Sequence, residues 1–407
     1  MNLLKDIRVA SFNHMLMGPA AAQYLADLGA DVISVEPTGG AFQRNWAVGN
    51  LFVDGQSVNH LTVGRNKRSL ALDLKAEAGK EIARRLVRSS DVVMENFRPG
   101  SMEKLGLGYE DCRRLNPRII YASATGYGRD GPYRHRPGQD LLAQALSGLA
   151  AATGDADGPP VPVGPTVVDH HGAALLALGI LAAVIGRDQD GGRARRVDVD
   201  LLSAGLDMQF ESLGCFLNGH RTGSPRGPGN IAAWFSAVPY GIYATADGHL
   251  ALSMSSMDAL AAAFDLPAFA AVPESDAFAR REEFIPALRE VLATRATSAW
   301  IEHLSAHPAV WHAPVQDYDA LLEDPQIAHN GSFVTVPGAT GAPITMVSHP
   351  VTYDGERPGV RLVPQPLGAQ SREILAEIGY GPEETDALAE AGVVRCEAAA
   401  APAADSA

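Results

Sequence analysis

The sequence predicts a doubly wound α/β domain built on a parallel sheet, Rossmann-like in outline, joined to a smaller α+β domain. Three observations predict it. The chain opens with a strand-like run, Arg8 to Phe12, a helical stretch, Ala20 to Leu28, closed by Gly29, and a second strand, Asp31 to Glu36; such a βαβ start implies parallel pairing. Strand-like and helix-like segments then alternate to about residue 205. Beyond residues 219–235, rich in Gly, Pro and Asn, the pattern changes: Tyr240 to Thr245 and His249 to Met254 flank Ala246-Asp247-Gly248, a hairpin signal. For 407 residues two domains are the expected number.

Each element has a local reason. Pro19 suits the first turn of its helix, where its missing N–H is not needed. Residues 39–64 are irregular and read as loop. Arg65, Lys67 and Arg68 precede a short strand and Lys75 follows it. Four cations within 11 residues make a candidate phosphate site, with a solvated basic edge as the plainer alternative. Gly79 to Ser89 carries the period of an amphipathic helix, and Asp91 to Phe97 reads as a strand. Arg98-Pro99-Gly100 forms a turn, after which Ser101 caps a short helix bearing Lys104. Arg118 to Thr125 is another strand and runs into GYGRDGPYRHRPG, a loop of the kind that carries function on a rigid scaffold. Gln139 to Thr153 reads as a helix and Val197 to Leu201 as the last strand of the sheet. Helices near Asp258 to Phe264, Arg281 to Ala293 and Ser298 to Ala306 fill the second domain. Two strands and two short helices follow, and they return to the first domain. The expected boundaries are 1–218 with 330–395 for the large domain, 219–235 for the linker, 236–329 for the small domain, and a disordered tail at 396–407.

The totals exclude several classes. A net charge of −14, from 33 basic and 47 acidic residues, argues against non-specific binding to nucleic acid or anionic membrane. An anionic ligand must therefore find a local basic pocket. Cys112, Cys215 and Cys396 are widely spaced and form no metal-binding pattern, so they read as reduced thiols of a cytoplasmic protein with no metal. The first residues reach a charge at Lys5 and lack the apolar run of a signal peptide.

The most telling stretch is VPVGPTVVDHHGAALLALGILAAVIGR, Val161 to Arg187, in which Asp169 precedes an apolar run. The 14 residues from Gly172 to Ile185 suit a buried helix and are too few to span a bilayer. Free amides and the dipole at a helix mouth favour negative charge, so Asp169 should stay ionised. Two roles remain open at this level: a helix cap, since Asp is a preferred N-cap residue, or a desolvated nucleophile. A nicotinamide cofactor is considered because Glu36 ends the second strand where a ribose-binding acid would stand. The turn NHMLMGP, however, does not contain GxGxxG. His14, in that turn, is the residue of interest there.

The segments HMLMGPAAAQYLADLGADVISVE, NKRSLALDLK, VVMENFRPGSMEKLGL, LNPRIIYASATGYGRDGPY and PLGAQSREILAEIGY resemble class III CoA-transferases, the group of formyl-CoA transferase and carnitine CoA-transferase. The resemblance runs over nearly the whole chain and is weakest between Gly219 and Ala309. It implies that Asp169 is the catalytic aspartate, forming anhydride and aspartyl-CoA thioester intermediates, and that Asp140 assists. It places His14, Leu72, Lys75, Asn96 and Phe97 at the CoA site, with Lys104 replacing an arginine that meets the phosphates. Arg65, from the basic segment, is added to that set. The resemblance also implies an interlaced homodimer whose active site lies where domains meet. No permanent cofactor is implied; coenzyme A enters as acyl-CoA substrate, beside a small carboxylic acid.

Within the same fold the rival is α-methylacyl-CoA racemase, which needs two bases flanking the α-carbon. Racemases of this type carry histidine where the chain reads Gly138-Gln139-Asp140, and Gln139 cannot be that base; His135, His170 and His171 lie nearby in sequence. A non-catalytic CoA-binding module is the remaining alternative. Oxalate-specific members have glutamine two residues after the His14 position, where Leu16 stands here, and a glycine run not found in SMSSMDALAAAF. Those departures point away from formate and oxalate, toward a larger acid such as the dicarboxylate succinate.

Overall fold

The computed structural model describes residues 1–189, 191–219, 226–227, 234–338 and 341–397. Two compact units are present: residues 1–143, 166–205 and those from 326 onward form the first, and residues 144–165 and 206–325 the second. Residues 144–165 and 206–218, read from the sequence as part of the large domain, cluster with the second unit. Most of the expected linker, 220–225 and 228–233, lies outside the described residues, as does the expected tail from 398.

The first unit contains β1 (Arg8–Phe12), β2 (Asp31–Glu36), β3 (Phe52–Val53), β4 (Gln56–Ser57), β5 (Lys67–Leu72), β6 (Val92–Glu95), β7 (Ile120–Thr125) and β8 (Arg195–Asp200). The second contains β9 (Gly241–Ala244), β10 (His249–Leu252) and β11 (His312–Pro314), and the chain then returns to the first with β12 (Phe333–Pro337), β13 (Pro343–Val347) and β14 (Val394–Arg395). One seven-stranded sheet runs in the order β14-β5-β2-β1-β6-β7-β8. All its pairs are parallel except β14 with β5, where Val394 faces Leu72. The irregular reading of residues 39–64 misses the β3–β4 hairpin and the helix Val58–Val63.

Side chains alternate across a strand, and the core obeys that rule. Ala10, Phe12, Ile33, Val35, Leu70, Leu72, Val93 and Tyr121 face one buried cluster, closed by Ile82, Leu86, Met102, Cys112, Ile374 and Leu375 from helices on that face. On the opposite face Met17–Asp27 and Val167–Arg187 pack on each other and on the strands. Gly172 allows the close approach: a Cβ there would stand 2.7 Å from Met17 Cε. The Val167–Arg187 helix is longer than its uncharged run. At 21 residues it is long and apolar enough, by length and composition, to cross a membrane. Here it buries Val168, Gly172, Ala173, Leu176, Ala177, Ile180 and Ala183 within the unit.

The predicted helix Gln139 to Thr153 is two helices, Asp140–Leu146 and Leu149–Ala152, broken where Gly148 takes φ 87°. Ser101 is the first helical residue rather than the cap, which is Gly100 at φ 91°. In the second unit the hairpin β9–β10 carries β11 on its edge. Tyr243, Leu250, Leu252, Phe264, Phe284 and Trp300 are central to its own core.

Candidate active site

The chain leaves β1 toward β2 on one side, and β6 leads to β7 on the other, so the direction of winding reverses between β1 and β6. In open α/β sheets ligands bind in the crevice outside the carboxyl ends of the strands at this point. Phe12 and Glu95, the last residues of β1 and β6, are paired neighbours. The two loops beyond them are clamped together. His14 N–H donates to Asn96 Oδ1 at 2.9 Å, and Asn96 Nδ2 donates back to His14 O at 2.7 Å. The His14 ring stacks on Phe97, with centroids 5.4 Å apart. Burial lowers the His14 pKa, which favours neutral imidazole, and its Nδ1 is buried with no hydrogen-bond partner among the described residues.

A cavity of about 230 Å³ opens there, with His14, Asn96, Phe97 and Asp169 in its wall. Met17 and Leu201 supply apolar surface, and Arg134 and Arg136 supply charge. The Asp169 helix starts at Val167, so Asp169 lies in its first turn. Its own side chain does not cap the helix. The amides of Val168 and Asp169 donate instead to Asp140 Oδ1, at 2.8 and 3.0 Å. Asp140 is 4% exposed, so the helix mouth is already occupied by a buried carboxylate. Asp169 therefore gains no stabilisation from those amides. Burial, and then the Asp140 charge beside it, push its pKa up to about 7. The expectation of a carboxylate held ionised is corrected accordingly.

A second cleft of about 240 Å³ shares Arg98, Pro99, Thr125 and Arg134 with the first and adds Arg129 and Arg196. Glu95 also lines it. It accepts the Phe97 N–H at 2.9 Å and the Ser123 hydroxyl, yet burial, reinforced by Glu103, raises its pKa to about 7. The four guanidiniums that line this cleft form an anion-attracting surface, and the raised pKa of Glu95 weakens the opposing charge.

The residues singled out from sequence separate into two groups. His14, Asn96, Phe97 and Asp169 meet at one cavity, with Asp140 directly behind Asp169. Arg65, Leu72, Lys75 and Lys104 do not line it. Arg65 is buried and bonded to Asp27 at 2.7 Å, because burial of Asp27 demands a counter-charge. Lys67 Nζ is buried against Pro19 O and Val63 O, and Arg68 binds Asp31, Glu373 and Glu377. Three of the four cations of the basic segment are thus taken up by partners within the chain, which corrects the phosphate-site reading for them. Leu72 is core, while Lys75 and Lys104 are exposed. Of the cations that do reach the clefts, Arg98, Arg129, Arg134 and Arg136 come from RPG and GYGRDGPYRHRPG, and Arg196 comes from β8. Their signal was a turn and a glycine- and proline-rich loop directly after strands. Among the described residues, no group of three or more His, Cys, Asp or Glu side chains is placed to hold a metal.

An acid in a strand-end crevice beside an arginine-lined cleft defines an α/β protein suited to an anionic ligand and acyl chemistry. The family model for CoA-transferase family III matches residues 4–371, and the chain belongs to that family. It is 36% identical over 408 residues to succinyl-CoA:mesaconate CoA-transferase of Haloarcula hispanica, covering 94% of this chain and 98% of that one. It is 31% identical over 400 residues to the human succinyl-CoA:glutarate CoA-transferase, covering 96% and 90%. A solved CAIB/BAIF family protein from Brucella suis superposes with a TM-score of 0.80 at 27% identity, over 93% of this chain and 99% of that chain. The protein is an enzyme, a class III CoA-transferase acting on CoA thioesters.

Proposed function

We propose that this enzyme moves CoA from a succinyl-CoA-type donor to a small dicarboxylic acid through covalent intermediates on Asp169. The observation that carries the reading is the Asp169 carboxyl, open to the cavity, with no hydrogen bond to its oxygens from the described residues and its pKa raised to about 7. A carboxylate so desolvated is a stronger nucleophile than one in water. Asp140 supports it by fixing the helix mouth.

The steps balance without an outside reagent. An Asp169 oxygen attacks the thioester carbonyl and CoA leaves as thiolate, giving a mixed anhydride. The thiolate attacks the aspartyl carbonyl, expels the donor acid as carboxylate, and leaves an aspartyl-CoA thioester. The acceptor carboxylate attacks that thioester and releases thiolate again. The thiolate then attacks the acceptor's own carbonyl, forming the product thioester and freeing Asp169. Holding both partners in one cavity supplies the alignment that this exchange requires.

His14, Asn96 and Phe97 form the crevice side of the CoA site, and the arginine cleft suits its phosphates. The names of the relatives support succinyl-CoA as donor. Exposed Phe42, Trp46, Leu51, Phe52, Leu178 and Ile185 support burial in a homodimer. A cytoplasmic location accords with three unpaired cysteines.

Intact mass spectrometry after incubation with succinyl-CoA and a hydroxylamine quench tests the reading. A donor-dependent modification at Asp169, absent in Asp169→Asn, is expected. A wild-type protein that binds acyl-CoA yet shows no adduct and exchanges no acid would overturn it.

A further inference from the structure

The Asp169 cavity also holds a cation that serves neither the core nor the neighbouring cleft. Arg98 and Arg134 line both clefts, whereas Arg136 lines only the cavity of Asp169. Its guanidinium lies over the Tyr133 ring, 3.9 Å from the centroid, and among the described residues no carboxylate pairs with it. In a chain of net charge −14, that leaves an open cation facing a site for acids.

The turn that carries Arg136 is held in place. Arg136 N–H donates to Tyr133 O at 2.9 Å, and the Tyr127 hydroxyl donates to Pro137 O at 3.3 Å. The Gly126 and Gly138 backbones touch so closely that a Cβ on Gly126 would stand 2.6 Å from Gly138 Cα. Four residues after Arg136, Asp140 grips the amides of Val168 and Asp169. Arg136 and Asp169 are therefore linked through a short, anchored segment. Stacking on an aromatic face leaves the edge of a guanidinium free to take a planar carboxylate by two parallel hydrogen bonds.

We infer that Arg136 selects dicarboxylic substrates by binding the carboxylate remote from the reacting carbonyl, while Asp169 engages the near end. The inference rests on the transferase reading above. A monocarboxylic acyl group would leave Arg136 without a partner and gain nothing from it. The apolar surface of Met17 and Leu201 accommodates the methylenes between the two ends.

The test uses two donors that differ only in the terminal group, succinyl-CoA and butyryl-CoA, so that contacts to CoA cancel. Single-turnover labelling of the full-length protein is followed by mass spectrometry for the wild type, Arg136→Gln and Arg136→Lys. The wild type is expected to react roughly 10- to 100-fold faster with succinyl-CoA, the range of a charge-assisted hydrogen-bonded pair. Arg136→Gln should lose most of that preference through succinyl-CoA alone, and Arg136→Lys should restore part of it. Equal reactivity of the wild type toward both donors, or an equal loss for both in Arg136→Gln, would overturn the inference. Failure of the wild type to be labelled by either donor would strike the transferase reading itself, and that result is visible before any variant is made.

Discussion

Asp169 joins two opposed demands, because burial beside Asp140 makes its charge costly while the nucleophilic role proposed for it requires that charge. The rate of aspartyl labelling is therefore expected to rise with pH through about 7 and level off above it; a flat profile from pH 5 to 8 would contradict this. The stability effect has the opposite sense. A carboxyl whose folded pKa is raised binds more protons folded than unfolded, so stability falls as pH rises from about 4 through about 7. Asp169→Asn should thus raise Tm at pH 8 by more than at pH 5, corresponding to about 1–3 kcal/mol at the higher pH. Asp27 behaves in the reverse way. Burial opposes its ionisation, but hydrogen bonds from His349, Arg65 and Asn66 hold its pKa below the usual value. Its contribution is present above the unfolded pKa and lost as pH falls through the folded one. Asp27→Asn leaves Arg65 buried without a counter-charge and should cost about 3–5 kcal/mol in urea unfolding at pH 7.

At the scale of elements, the site depends on how closely backbones meet. Gly126 follows β7 and Gly138 precedes the Asp140 helix, and they touch main chain to main chain, where nothing flexible can move aside. Gly172 meets instead the end of the Met17 side chain, which has rotamers to spare. Gly138→Ala is therefore expected to destabilise by about 1–3 kcal/mol and to slow labelling of Asp169. Gly172→Ala should cost less in stability, since only a methionine must turn. Thermal melts of both variants, beside the labelling rate, would refute this if Gly172→Ala proved the more harmful.

At the scale of the molecule, membership of the CoA-transferase family accounts for a mostly parallel seven-stranded sheet with a cavity beyond its central strands. Large apolar side chains are exposed on the first unit, Trp46 and Ile185 among them, and the proposed homodimer would cover them. Light scattering coupled to gel filtration should return twice the mass of the 407-residue chain. A monomer at micromolar concentration would remove the homodimer from the proposal.

Much of this architecture was legible in the sequence because its signals are local. Strand period and turn residues located β1 and β2 to the residue, and the single acid before an apolar run singled out Asp169, which the structure places in a cavity wall. The loop GYGRDGPYRHRPG announced itself by glycine, proline and position after a strand. Other properties depended on neighbours far along the chain. Arg65 looked like a phosphate ligand until folding placed Asp27 against it, 38 residues away in sequence, whereas Arg136 has no carboxylate partner among the described residues and stacks on Tyr133. Val394 and Arg395 became a sheet edge only because β5 offered them unpaired backbone groups. Sequence determined which side chains were available and which segments carried them. Tertiary structure decided which charges were neutralised and which were left facing a cavity, because desolvation and ion pairing are set by distance through space.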